Sequence, residues 1–223
     1  MSGSKPDPND DVARLAAEGI AHGDATGWFD RLYRAAEGDH TRVPWADLAP
    51  NRWLVEWLER ERVRGEGASA VVVGCGLGDD AQELARRGYD VTAFDISSTA
   101  VDWAIRRFPE SGVEYRVADL FSLPALMEGE FDFVFEAYTI QALPIEIRPS
   151  AVDAVASLVA HGGSLLAVMR GRENDQEVPG PPWPLSRADL TGFLHAGLLE
   201  DSFEDFMDGE IRRFRVHYLR PTS

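Results

Sequence analysis

The chain has 223 residues, enough for one good-sized domain, and its 44% hydrophobic and 27% charged residues exclude wholesale disorder. Its 38 acidic side chains against 22 basic ones leave a formal net charge of −16, which opposes a nucleic-acid partner. One cysteine, Cys75, excludes an intrachain disulfide framework or a multi-cysteine zinc ribbon.

No apolar run approaches the roughly 18 residues that cross a bilayer, and the polar, acidic start is unlike a signal peptide. A cytoplasmic protein is therefore expected, with no membrane partner. Residues 1–11, rich in Pro, Asp, Ser and Gly, read as a disordered tail. A short helical pattern follows over 11–19. Trp28, Phe29, Leu32 and Tyr33 then recur at helical spacing up to Gly38. Another helix is predicted over 48–64, carrying Trp53, Leu54, Trp57 and Leu58. These aromatics read as helix packing onto the core, with ligand contact as the alternative.

After Gly65-Glu66-Gly67 the pattern changes. Strands are predicted over 70–73, 90–95, 113–118, 131–135 and 164–169, with helices over 79–87, 97–108 and 145–160 between them. Such alternation means βαβ units and a parallel sheet. Residues 171–185 hold prolines 179, 181, 182 and 184 and are expected to be irregular. A short helix over 187–196 precedes strands 199–207 and 211–219, joined by the hairpin signal Asp208-Gly209. One domain is expected over 12–223: helices and a lid to residue 65, then a core over 66–223 with an active-site insertion at 171–186.

In an open parallel sheet the first strand-to-helix turn is the usual nucleotide cradle. Here it carries Gly74, Gly76 and Gly78, whose missing Cβ atoms let backbone approach a ligand. Asp95, 21 residues after Gly74, can accept both hydroxyls of a ribose. A dinucleotide fingerprint needs a small residue at position 79, where Asp79 stands, and a carboxylate at a helix start repels pyrophosphate. G-x-G-x-G followed by acidic residues suits a ligand without phosphates, such as S-adenosylmethionine. Asp119 is placed to accept the adenine amino proton between Leu120 and Phe121, or else simply caps a turn. Cys75 reads as a small buried filler, and histidines 22, 40, 161, 195 and 217 stand singly, without metal spacing.

Residues 71–81 (VVVGCGLGDDA) and 87–97 (RGYDVTAFDIS) resemble the seven-stranded S-adenosylmethionine-dependent methyltransferases. Residues 131–138 (FDFVFEAY), Ala142-Leu143-Pro144, Arg148-Pro149, 180–186 (GPPWPLS) and Pro44-Trp45 are similar to the thiopurine S-methyltransferase and halide/thiol methyltransferase branch. Where many relatives carry an acidic residue two positions before the first glycine, this chain has Val72. The resemblance implies an α/β fold: a doubly wound, seven-stranded, mostly parallel Rossmann-like sheet with an antiparallel C-terminal hairpin and an N-terminal helical lid. It implies S-adenosylmethionine as cofactor, S-adenosylhomocysteine as product and a small-molecule methyl acceptor, a thiol or a halide. It also implies cofactor contacts from Trp45, Gly74, Cys75, Gly76, Gly78, Asp95, Ile96, Asp119, Leu120, Phe121, Glu136 and Tyr138.

Methyl transfer from a sulfonium is an in-line displacement that needs alignment and exclusion of water, so no catalytic triad or metal is expected. Trp45, Tyr138 and Trp183 are candidates for an aromatic cage around the cation. Tyr138, Trp183 and Arg148 are the candidate substrate pocket, and Arg148, Arg170 or Arg172 would orient an anionic substrate. A monomer or homodimer is expected. A non-catalytic S-adenosylmethionine-binding regulatory module is the alternative, and an oxidoreductase stands third.

Overall fold

The computed structural model describes residues 8–178 and 180–222. Most of the expected tail, residues 1–7, and Pro179 lie outside them. The tail reading ends too late, because helix α1 (Pro8–Ala21) already begins within it. Next come α2 (Trp28–Ala36) and α3 (Arg52–Arg60). Helix α3 is shorter than the predicted 48–64 because Asn51 caps it, its side chain accepting from the Trp53 and Leu54 amides at 2.9 and 3.3 Å.

The βαβ part runs β1 (Ser69–Val73), α4 (Asp79–Arg86), β2 (Asp90–Asp95), α5 (Ser98–Arg107), β3 (Glu114–Val117), β4 (Phe131–Ala137), α6 (Arg148–Ser157) and β5 (Val159–Arg172). Helix α6 starts three residues later than predicted, after a tight turn at Ile145–Ile147, with Pro149 in its first turn. The 171–185 segment is not wholly irregular: β5 runs through Arg172, and β6 (Leu185–Ser186) pairs with its end in parallel. Helix α7 keeps only Thr191–His195 of the predicted 187–196, and β7 (Leu199–Asp208) and β8 (Ile211–Leu219) close the chain.

The sheet order is β3-β2-β1-β4-β5-β8-β7, with β6 beside the end of β5. Strands β1 to β5 are parallel, and β8 lies antiparallel between β5 and β7. The seven-stranded, mostly parallel sheet with its C-terminal hairpin is therefore present. Side chains alternate across it. Val71 and Val73 join Val134, Leu165, Val155, Phe193 and Phe214 on one face. Ala70 and Val72 join Phe133, Phe135, Trp53, Trp57 and Leu84 on the other. Trp57 is thus core packing, while Trp53 packs there and also lines the cavity described below. Among the described residues, no helix is long and apolar enough to cross a membrane.

Candidate active site

Strand β1 has β2 on one side and β4 on the other, so the winding reverses there. Ligand crevices open beyond the strand carboxyl ends at such a point. A cavity of about 700 Å³ occupies it, a volume in the range of small-molecule sites.

The glycine loop forms its floor. Gly74 has φ +62°, and a Cβ there would meet Thr139 Oγ1 at 2.4 Å. Gly78 has φ +90°, and a Cβ there would meet the Tyr115 hydroxyl at 2.4 Å. Side chains are thus excluded by backbone conformation and by protein neighbours. The loop is tied to β2, because the Cys75 amide donates to the Phe94 carbonyl at 2.9 Å. Burial pushes the Cys75 thiol up, with Asp95 adding to the effect, so it stays protonated.

Asp95, buried at the end of β2, accepts from the Gly76 amide through Oδ2 and the Ser97 amide through Oδ1, both at 2.9 Å. Burial pushes its carboxyl up, and those two amides pull it back. Each oxygen keeps a further lone pair for a hydroxyl donor. Asp119 caps the turn Leu120–Ser122, accepting from the Phe121 amide at 2.9 Å, and lines the cavity with Leu120 and Phe121. The turn cap read from the sequence is present, and the same residue lines the cavity. Ile96, Gly74, Cys75 and Gly76 also line this end. Two aspartates follow the loop. Asp79 is gripped by Arg107 at 2.6 and 2.8 Å, which answers its charge and shrinks the repulsion inferred from sequence. Asp80 accepts from the Asn51 amide at 2.6 Å, and burial raises its carboxyl to about 7.

The other end is assembled from distant segments. Trp45 lies edge-on to Trp28, Phe29 and Tyr33 at 6.2, 6.3 and 6.2 Å, and its indole N–H donates to the Tyr33 hydroxyl at 2.8 Å. Tyr138 follows β4 with φ +64°, a costly conformation for a tyrosine and one that clusters at functional sites. Its hydroxyl accepts from Arg213 at 3.1 Å. Asn51, Gln141, Arg170, Pro181, Pro182 and Asp208 complete this wall.

Five residues named from the sequence fall outside the cavity wall. Gly78 starts α4 beneath it. Glu136 is only 1% exposed, and its Oε1 accepts from the Thr139 and Ile140 amides at 2.8 and 3.1 Å, which shapes the turn after β4 from below. Burial raises its carboxyl to about 7. Trp183 turns away while Pro181 and Pro182 face inward; its amide donates to the Gln141 carbonyl at 2.8 Å, and its ring lies 5.6 Å from the Arg148 guanidinium. Buried Arg148 donates to the Leu143 carbonyl at 2.9 Å, so this pair pins the proline-rich segment from behind. Arg172 is occupied by Asp189 at 2.8 Å. The aromatic wall is therefore Trp45 and Tyr138, without Trp183.

The lid also narrows. Trp28, Leu32, Tyr33 and Ala36 are buried, and Asp30 accepts from the Ser97 hydroxyl at 2.8 Å and the Thr99 amide at 3.1 Å, so α2 is anchored core. Phe29, Tyr33, Asn51 and Arg213 were not singled out as site residues from sequence. Of the three candidate arginines, only Arg170 lines the cavity. Among the described residues, no group of three or more His, Cys, Asp or Glu could hold a metal ion.

Residues 70–163 match the family model described as a methyltransferase domain. The ubiquinone biosynthesis O-methyltransferase of Azotobacter vinelandii is 34% identical over 160 residues, covering 70% of this chain and 62% of that protein. The thiopurine S-methyltransferase of Legionella pneumophila is 22% identical over 152 residues, covering 61% and 68%. Among solved structures, the 1,6-didemethyltoxoflavin-N1-methyltransferase of Burkholderia thailandensis, with bound 1,6-didemethyltoxoflavin and S-adenosylhomocysteine, superposes with a TM-score of 0.67. It is 14% identical and covers 99% of this chain and 93% of its own. The chain spans 62% and 55% of the first two curated relatives it matches. Its fold is that of the S-adenosylmethionine-dependent methyltransferases, and the matched stretch holds the glycine loop, Asp95, Asp119 and Tyr138.

Proposed function

We propose that the chain is an S-adenosylmethionine-dependent methyltransferase that acts on a small-molecule acceptor by in-line displacement. The observation that carries this reading is one cavity with two chemically distinct ends. Asp95 and Asp119 stand at successive strand ends on one side, and an aromatic and arginine-lined chamber stands on the other. When bound, S-adenosylmethionine supplies a methyl group on a positively charged sulfur.

Asp95 accepts the ribose hydroxyl protons while it holds the glycine loop through the Gly76 amide. Asp119 receives the adenine amino group, and Ile96, Leu120 and Phe121 cover the base. The faces of Trp45 and Tyr138 attract the sulfonium and keep water from it. The remaining work is alignment of the acceptor with the methyl carbon.

The finer reading is an acceptor with a soft sulfur nucleophile, or a halide. It is supported by Ala142-Leu143-Pro144 and the 180–186 segment, whose Pro181 and Pro182 face the cavity. A second reading, a phenolic oxygen acceptor, draws on the 34% identity to the ubiquinone biosynthesis O-methyltransferase. Incubation with S-adenosylmethionine and matched thiol, halide and phenol acceptors, with S-adenosylhomocysteine followed by mass spectrometry, separates the two. Binding without turnover of any acceptor would instead favour the regulatory module.

A further inference from the structure

The acceptor end holds a charge arrangement that the cofactor reading does not use. Arg170 on β5 and Arg213 on β8 are direct cross-strand partners in the antiparallel register, so two cations project side by side into the cavity. Like charges directly opposite are destabilising. Arg213 is answered by Asp208 at 3.2 Å and by the Tyr138 hydroxyl at 3.1 Å. The same Asp208 is shared with Arg52 at 3.2 Å. Arg170 has no such answer. Its backbone amide donates to Gln141 Oε1 at 2.7 Å, but no carboxylate pairs with its guanidinium among the described residues. Burial and the adjacent Arg213 both lower its pKa, which marks a cation held at a cost. Arg52, Arg170 and Arg213 line this end with Asp208 and, through its bond to the Asn51 amide, Asp80; Asp47, Asp79, Asp95 and Asp119 are the cavity's other carboxylates.

We infer that the methyl acceptor carries a carboxylate, bound by Arg170 with Arg213 beside it, and that Arg170 is the residue that selects anionic over neutral acceptors. A guanidinium fork matches a carboxylate in geometry and charge, and such an anion also relieves the repulsion between the two strands. The inference rests on the methyltransferase reading and names the acceptor class. Arg170 stands beyond β4 from the glycine loop, on the side away from Asp95 and Asp119, so the carboxylate belongs to the acceptor and not to the cofactor's amino-acid end.

Two probes test it, 4-mercaptobenzoate and the neutral 4-mercaptobenzamide, each titrated calorimetrically into the protein with and without saturating S-adenosylhomocysteine. The acid is expected to bind about tenfold to a hundredfold tighter than the amide. Arg170→Gln should erase that preference while S-adenosylhomocysteine affinity stays unchanged, and Arg170→Lys should restore part of it. Equal binding of acid and amide, binding of neither, or a preference that survives Arg170→Gln overturns the inference. So does a loss of S-adenosylhomocysteine affinity in Arg170→Gln, which would assign Arg170 to the cofactor's own carboxylate. Failure of wild-type protein to bind S-adenosylhomocysteine sinks the methyltransferase reading instead, and the titration without it still reports on the anion site.

Discussion

The two ends of the cavity are built in opposite ways. The cofactor end comes from three consecutive strand ends, and each of its residues sits within a few positions of a glycine, a strand terminus or a helix start. The acceptor end gathers Asn51, Tyr138, Arg170, Pro181, Asp208 and Arg213 from segments spread over some three quarters of the chain. Local backbone demands, such as the positive φ at Gly74, write a recognisable pattern into neighbouring residues. Convergence of distant side chains writes none.

That contrast can be pressed by four substitutions, taken from the largest effect down. Arg215 is 2% exposed and ties the acceptor end's supports together. It donates to Glu204 at 2.8 and 2.7 Å and to the Trp53 carbonyl at 2.9 Å, joining the hairpin to α3. Arg60 and Arg215 together hold the Glu204 carboxyl down at about 2. Arg215→Ala removes a buried guanidinium and its hydrogen bonds while Glu204 keeps Arg60, and should cost about 2–3 kcal/mol in urea denaturation. A loss indistinguishable from an ordinary surface substitution would show that the hairpin is held by packing alone.

Asp95→Ala acts at the cofactor end. Losing a charge-assisted bond costs about 1.5–3 kcal/mol, so S-adenosylmethionine binding should weaken roughly tenfold to a hundredfold by calorimetry. Unchanged affinity would mean that the ribose is held elsewhere.

Trp45→Phe keeps a ring but weakens its attraction for the cation, and should cost about 0.5–1 kcal/mol of S-adenosylmethionine affinity. Trp45 is 38% exposed, so the melting temperature should hardly move. Ligand should lower hydrogen exchange over residues 43–50 more than over α2 or β1. Uniform protection across the domain would make Trp45 ordinary packing.

Glu136 comes last because its effect is read only across a change of pH. Burial raises its carboxyl from 4.5 to about 7 in the folded protein. Its contribution to stability is therefore complete below pH 4.5 and is lost as pH rises through about 7. Glu136→Gln should flatten the fall in melting temperature across that window. An identical slope in wild type and variant would place the titration on another group.

These contrasts also explain how much was legible in the sequence. The strand and helix alternation, the glycine loop and the Asp208-Gly209 turn follow from short-range rules, and the sheet bears them out. Asp119 could not be divided between turn cap and cavity wall from sequence, because one carboxylate does both. Glu136 and Trp183 sit next in sequence to cavity residues, but strand pleating and the turn of the proline-rich segment direct them elsewhere. Tyr138 was visible as an aromatic at a strand end; its positive φ was not, because nothing in its neighbours' identities demands it. Arg148, Arg170 and Arg172 look alike in sequence. Only their partners, Leu143 for Arg148, Asp189 for Arg172 and Arg213 for Arg170, tell them apart.

The charge of strand β7 reaches beyond the cavity. It is an outer strand, paired only with β8, and Glu200, Asp201, Glu204, Asp205 and Asp208 place five carboxylates among its ten residues. Arg212, Arg213 and Arg215 of β8 answer three of them across the hairpin, while Arg187, Arg60 and Arg52 reach Glu200, Glu204 and Asp208 from other segments. An open edge is a template for strand addition by another chain, and a dense row of like charge is one way proteins blunt it. A strand adding to this edge would have to bury or displace that dense set of ion pairs. The sheet is thereby guarded against growing into aggregates, and salt, which screens exposed charges over about 10 Å at 0.1 M, is the condition under which that guard weakens.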